Sequence, residues 1–165
     1  MSIFKIFFKS KWDLSKIKKK KFLLVDGNSN PFIKYYDKKH FNTLYRRGEK
    51  INLRILIKCI LELNVSSLNY FNHFIRAASP ILILTAFDYH PIFYKLKKIT
   101  KIKTLMLQKG KRTLSDNIFQ NQKLINESKS DNFFVDYMFL YNKTTCDKYK
   151  KLIKGNYFSI GSFEN

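Results

Sequence analysis

The chain has few cysteines, glycines, prolines and acidic residues, and no long hydrophobic run. Its two cysteines, Cys59 and Cys146, sit in unlike contexts. That excludes a disulfide framework and a zinc spacing, and it fits a reducing or matrix-like compartment. His40, His73 and His90 are too scattered for a recognisable metal site. The apolar runs fall far short of the roughly 18 residues a membrane-spanning helix needs. Only 12 Asp and Glu stand against 32 Lys and Arg, leaving a net charge of +20. Such self-repulsion calls for a polyanionic partner: RNA, DNA or an anionic membrane. Lysine outnumbers arginine 27 to 5, a bias that an AT-rich coding sequence produces and that is common in organellar and some parasite genomes.

What is present is enough for a folded domain. With 45% hydrophobic residues the chain is too apolar for a disordered basic tail. At 165 residues it can bury about two thirds of its unfolded surface. The organising stretch is Pro80 to Phe87, PILILTAF. Its aliphatic run Ile81 to Leu84 reads as a strand buried on both faces, hence a parallel-sheet strand. Ile92, Phe93, Leu96 and Ile99, with lysines between them, predict an amphipathic covering helix. Ile102 to Leu107, Phe133 to Tyr141 and Tyr157 to Ile160 predict further strands. Asn52 reads as the N-cap of a nearly all-apolar helix over 53–63, buried between sheet and neighbours or facing a partner, and a second helix runs from Leu68 to Ala78. Thr144 or Thr145 is expected to cap a helix ending near Ile153, with Gly155 as its C′ residue.

This alternation predicts an α/β fold: a flavodoxin-like, open, mainly parallel sheet flanked by helices. Residues 1–21 form a basic N-terminal extension and 22–165 one α/β domain. Within it 115–132 is a polar connector, with one short helix around Ile118 to Ile125. Residues 1–12 alternate bulky apolar residues with lysine. A targeting or membrane-lying helix is one reading; docking on RNA or a neighbouring protein is the stronger.

Basic residues cluster in three places. Lys16 and Lys18 to Lys21 form the densest run, read as a phosphate-neutralising patch, with a solvated linker as the plainer alternative. From Phe32 to Arg47 aromatic and basic residues interleave, a pattern suited to stacking on unpaired bases and meeting phosphates; Tyr35 or Tyr36 is the stacking candidate. Gly110 lies among cations in a loop without the spacing of a Walker motif. The candidate RNA-binding residues are therefore Lys18, Lys19, Lys20, Lys21, Lys34, Lys38, Lys39, Arg46, Arg47, Lys109, Lys111 and Arg112.

Gly27 with Asn30-Pro31, Arg47-Gly48 followed by Ile51-Asn52-Leu53, and Ile81 to Thr85 resemble, in order, pieces of the small-subunit ribosomal protein S2 family. Lys109-Gly110 with Thr113 to Asp116, Asp131 to Leu140 and Tyr157 to Asn165 continue the correspondence. The resemblance implies a divergent, shortened, organelle-type member. It would be a structural constituent of the mitochondrial small ribosomal subunit in the matrix, binding ribosomal RNA and neighbouring ribosomal proteins in support of translation. No cofactor, metal, small-molecule substrate or stable membrane insertion is expected. The best case for catalysis is Asp88 with His90 at the carboxyl end of the central strand, where open α/β sheets place ligands. No serine, cysteine or second carboxylate accompanies them, so an RNA-processing enzyme stands as the alternative to a non-catalytic protein.

Overall fold

The computed structural model describes residues 10–26, 32–35, 37–45, 49–88, 91–108 and 121–162. The architecture is α/β, with mainly parallel strands flanked by helices in a flavodoxin-like open arrangement. The chain divides into two compact units, Met1–Ile81 and Leu82–Asn165.

In the first unit, β1 (Lys11–Asp13) pairs in parallel with β4 (Lys50–Asn52), and β2 (Phe22–Val25) with β3 (Phe41–Leu44). A short helix α1 (Phe32–Tyr35) and a 3₁₀ turn (Lys38–His40) lie between β2 and β3, while α2 (Leu53–Leu61) and α3 (Ser67–Ala78) follow β4. Leu23, Leu24, Val25 and Leu44 are fully buried, and α3 adds Phe71, Phe74, Ile75 and Ala78 to this core. Asn52 is the N-cap of α2, its side chain accepting from the Ile55 amide at 3.2 Å. The all-apolar helix expected over 53–63 is not sandwiched, however. It buries only Ile55 and Cys59 and leaves Ile57, Ile60 and Leu61 exposed.

With few glycines to hand, the chain turns at other residues in the left-handed conformation: Leu63 (φ 53°), Ser79 (φ 47°) and Asn132 (φ 48°). Leu63 is 95% exposed, so no burial offsets the cost of about 1 kcal/mol that this conformation carries for a residue with a Cβ. Leu63→Gly is therefore expected to raise stability by about 0.5–1 kcal/mol. A higher midpoint of denaturant unfolding checks this.

In the second unit, β5 (Leu82–Thr85), β6 (Lys103–Leu107), β7 (Phe134–Leu140) and β8 (Lys154–Ser159) lie side by side in that order, all parallel. Ile83, Leu84, Met106, Leu107, Val135 and Met138 are buried, as strands covered on both faces require. Ile81, read as part of the central strand, precedes β5 and is 68% exposed. The helix expected over 92–99 is instead a single turn α4 (Pro91–Tyr94) followed by a 3₁₀ turn (Leu96–Lys98). Phe93, Tyr94 and Leu96 are all buried there, while Lys95 reaches Glu127 and Asp131, and Lys97 reaches Asp136. Of the short helix expected around Ile118 to Ile125, residues 118–120 lie outside the described residues; from Gln122 the chain is helical, as α5 (Gln122–Asp131), which Asn121 caps by accepting from the Leu124 amide. Helix α6 (Lys143–Lys150) is capped by Asn142 and not by a threonine; its side chain accepts from the Thr145 amide at 2.8 Å.

Gly155 is not a helix C′ residue. It sits in β8 opposite Val135, and the next paired residues are Tyr137 and Asn156, so Asp136 is the extra residue of a bulge in β7. The bulge turns the Asp136 side chain into the protein, where only 4% of the residue is exposed. Burial by itself would raise its carboxyl pKa. Lys97 at 2.6 Å, the Thr104 amide at 2.9 Å, Lys103 at 3.1 Å and the Thr104 hydroxyl at 3.0 Å outweigh that and hold it at about 2. A carboxylate held below its ordinary value stabilises the fold fully above that value, and the stabilisation is lost as pH falls towards about 2. We expect thermal unfolding of the wild type to show this loss between pH 4 and 2, at about 2 kcal/mol. Asp136→Asn should be less stable at neutral pH and lack that part of the acid dependence.

Candidate functional site

The densest basic run is an ordered strap. Residues Leu14 to Lys21 join β1 to β2 and are tied down along their length by hydrogen bonds within the first unit. Arg54 Nε donates to the Leu14 carbonyl at 2.7 Å, Asn52 Nδ2 to the Ser15 carbonyl at 2.9 Å, and Asn42 Nδ2 to the Lys18 carbonyl at 2.7 Å. The Lys20 amide donates to the Ala78 carbonyl at 3.2 Å, and the Ile81 amide to the Lys21 carbonyl at 2.9 Å. The backbone is therefore fixed while the side chains of Lys16, Lys18, Lys19 and Lys21 remain outside. A solvated linker would have no such chain of partners.

Beside the strap lies a groove of about 350 Å³, lined among others by Lys16, Lys18, Lys20, Asn42, Tyr45 and Lys50. Among the described residues Asp13 is the one carboxylate in its wall. Its pKa is held at about 2, first by its hydrogen bond from Ser15 and also by Lys50, which lies 2.9 Å away. Asp13 thus remains ionised and neutralises Lys50. Lys20 donates to the Phe41 carbonyl at 2.8 Å. Lys16, Lys18, Lys19 and Lys21 are exposed, and none makes an ion pair with a described residue. The strap therefore offers positive charge that no carboxylate of the described residues has neutralised.

The other expected contacts are not gathered here. Lys34 is exposed on α1. Lys38 and Lys39 lie on the 3₁₀ turn, and Lys39 pairs with Asp37 at 3.1 Å. Arg46, Arg47, Lys109, Lys111, Arg112, Tyr36 and the side chain of Tyr35 lie outside the described residues, as does His90. Sequence reading missed Asn42 and Arg54 and saw Asn52 only as a cap, although Asn52 both caps α2 and holds the strap. No local signal could have found these roles, because each partner is distant in sequence.

Asp88, at the carboxyl end of β5, is buried. Its carboxylate accepts from the Tyr149 hydroxyl at 2.6 Å, with Gln108 Nε2 at 3.5 Å, and its backbone carbonyl accepts from the Tyr94 hydroxyl. Gln108 in turn accepts from the Tyr141 amide at 3.0 Å. These bonds tie the carboxyl ends of β5, β6 and β7 to α6. Among the described residues no group of His, Cys, Asp and Glu is placed to hold a metal ion, and no helix is long and apolar enough to cross a membrane.

Residues 105–165 are similar to a family described as "putative O-antigen biosynthesis protein". No curated protein and no solved structure matches the chain. This finding overturns the resemblance to ribosomal protein S2. The matching family is a different one, and it covers the stretches at Lys109 to Asp116, Asp131 to Leu140 and Tyr157 to Asn165 on which that resemblance partly rested. The match conflicts equally with the ribosomal and mitochondrial assignment that the resemblance implied. An order of elements shared by many α/β proteins, with nearly every identity replaced, does not specify a family.

Proposed function

We propose that the chain is a non-catalytic RNA-binding protein that holds RNA by its phosphate backbone through the strap Leu14 to Lys21. The observation that carries this reading is the pinned backbone of the strap, which presents Lys16, Lys18, Lys19 and Lys21 without carboxylate partners among the described residues. Fixing the backbone beforehand lowers the ordering cost of binding. The net charge of +20 supplies long-range attraction to a polyanion. Fluorescence anisotropy with a labelled RNA tests the reading. Four phosphate contacts give a log affinity that falls against log salt with a slope of about −3. Binding that ignores salt contradicts it.

The similarity of residues 105–165 favours a second reading, a part in O-antigen biosynthesis. Its test is the O-antigen of cells lacking the gene. A changed O-antigen together with no RNA binding by the purified chain favours this reading over the first.

A further inference from the structure

We propose that the groove beside the strap receives one unpaired nucleotide, so that the RNA bound is single-stranded; this rests on the RNA-binding reading above. The groove's volume, about 350 Å³, lies at the small end of the roughly 300–1,000 Å³ typical of small-molecule sites. A concavity of that size accommodates one nucleotide, whereas an A-form duplex keeps its bases stacked and paired and presents backbone and groove edges instead.

The walls match the two chemistries of a nucleotide. Phe41 and Phe74 line the groove with rings fixed in the core, and Tyr45 lines it while only half-buried, so its ring is the one available to a base. Lys16 and Lys18 stand in the same wall without ion pairs to described residues, so they offer charge to the phosphates flanking that base. Asn42 donates its Nδ2 to the Lys18 carbonyl, and no described hydrogen bond uses its Oδ1, which is left to accept from a base edge. Phosphate recognition alone would need the lysines but not an aromatic-walled recess.

The test is anisotropy of the full chain with a labelled unstructured oligouridine and, separately, a labelled RNA duplex of equal length, both at the same salt. We expect the single strand to bind at least about tenfold more tightly, the scale of one lost base–aromatic stack. Tyr45→Ala should lose about tenfold toward the single strand and little toward the duplex. Tyr45→Phe should bind as the wild type does, which also shows that the position tolerates change without unfolding. Equal or tighter duplex binding overturns the inference and leaves the RNA-binding reading standing. So does an unchanged affinity of Tyr45→Ala for the single strand. Absence of salt-dependent binding to either RNA overturns the reading and the inference together.

Discussion

Gly155→Ala is expected to lower the melting temperature by about 10 °C, corresponding to a loss of at least about 3 kcal/mol. A Cβ placed on Gly155 would lie 1.8 Å from the Val135 carbonyl oxygen and 3.0 Å from its carbon. Those are backbone atoms of the neighbouring strand, so no side-chain rotation relieves the contact. The residue also has φ +149°, a conformation that side-chain-bearing residues rarely adopt, with a strain of about 1–3 kcal/mol. Relief requires β7 and β8 to separate at the bulge. That disturbs the Asn156 Nδ2 hydrogen bond to the Asp136 carbonyl at 3.0 Å and the setting of the Asp136 carboxylate itself. The loss should therefore come with a weakened acid dependence. Gly161, also at positive φ (79°) but with nothing within 4 Å of an added Cβ, supplies the control for the steric part: Gly161→Ala should cost only the backbone strain, about 1 kcal/mol.

The second large effect concerns binding. Reversing the charge of Lys16, Lys18, Lys19 and Lys21 to glutamate is expected to weaken RNA binding at physiological salt by at least about a hundredfold and to flatten the salt dependence by about three units of slope. The fold should survive. All four side chains are exposed, and the bonds that pin the strap use its backbone or the Lys20 ammonium, which this variant keeps. Unchanged circular dichroism with lost binding separates this outcome from unfolding. Reversing Lys143, Lys148, Lys150 and Lys151, a group of equal charge on and beside α6, should weaken binding much less.

How far the sequence disclosed this arrangement varied with the range of the interactions involved. Strands β5, β6 and β7 were legible because apolar runs bounded by polar turns admit few other structures, whereas β8, mostly exposed, was placed only by its end and begins at Lys154 and not at Tyr157. The cap at Asn52 was legible because capping is local. Strands β1, β3 and β4 were not: each is three or four residues long, and Phe41 to Leu44 carries Asn and Thr at its centre, so no period could be read. The helix expected over 92–99 gives way after Tyr94 to a stretch where Lys95 and Lys97 pair with carboxylates on α5 and β7, long-range contacts that local periodicity does not register. The bulge at Asp136 reassigned Gly155 from a helix stop to a close strand contact, something only the paired register reveals. In the candidate site, the lysines were visible as charge. Their presentation on a fixed strap was not, since it depends on Asn42, Asn52 and Arg54, which lie 24, 37 and 40 residues from the carbonyls they hold.

Lysine footprinting tests the strap as the RNA-contacting element most directly. The purified chain is acetylated briefly with and without saturating single-stranded RNA, and the modification of each lysine is read by mass spectrometry. We expect RNA to protect Lys16, Lys18, Lys19 and Lys21 strongly and to leave Lys148, Lys150 and Lys151 nearly as reactive as before. Protection centred on those α6 lysines, or no protection at any strap lysine under conditions where RNA is bound, would contradict the assignment.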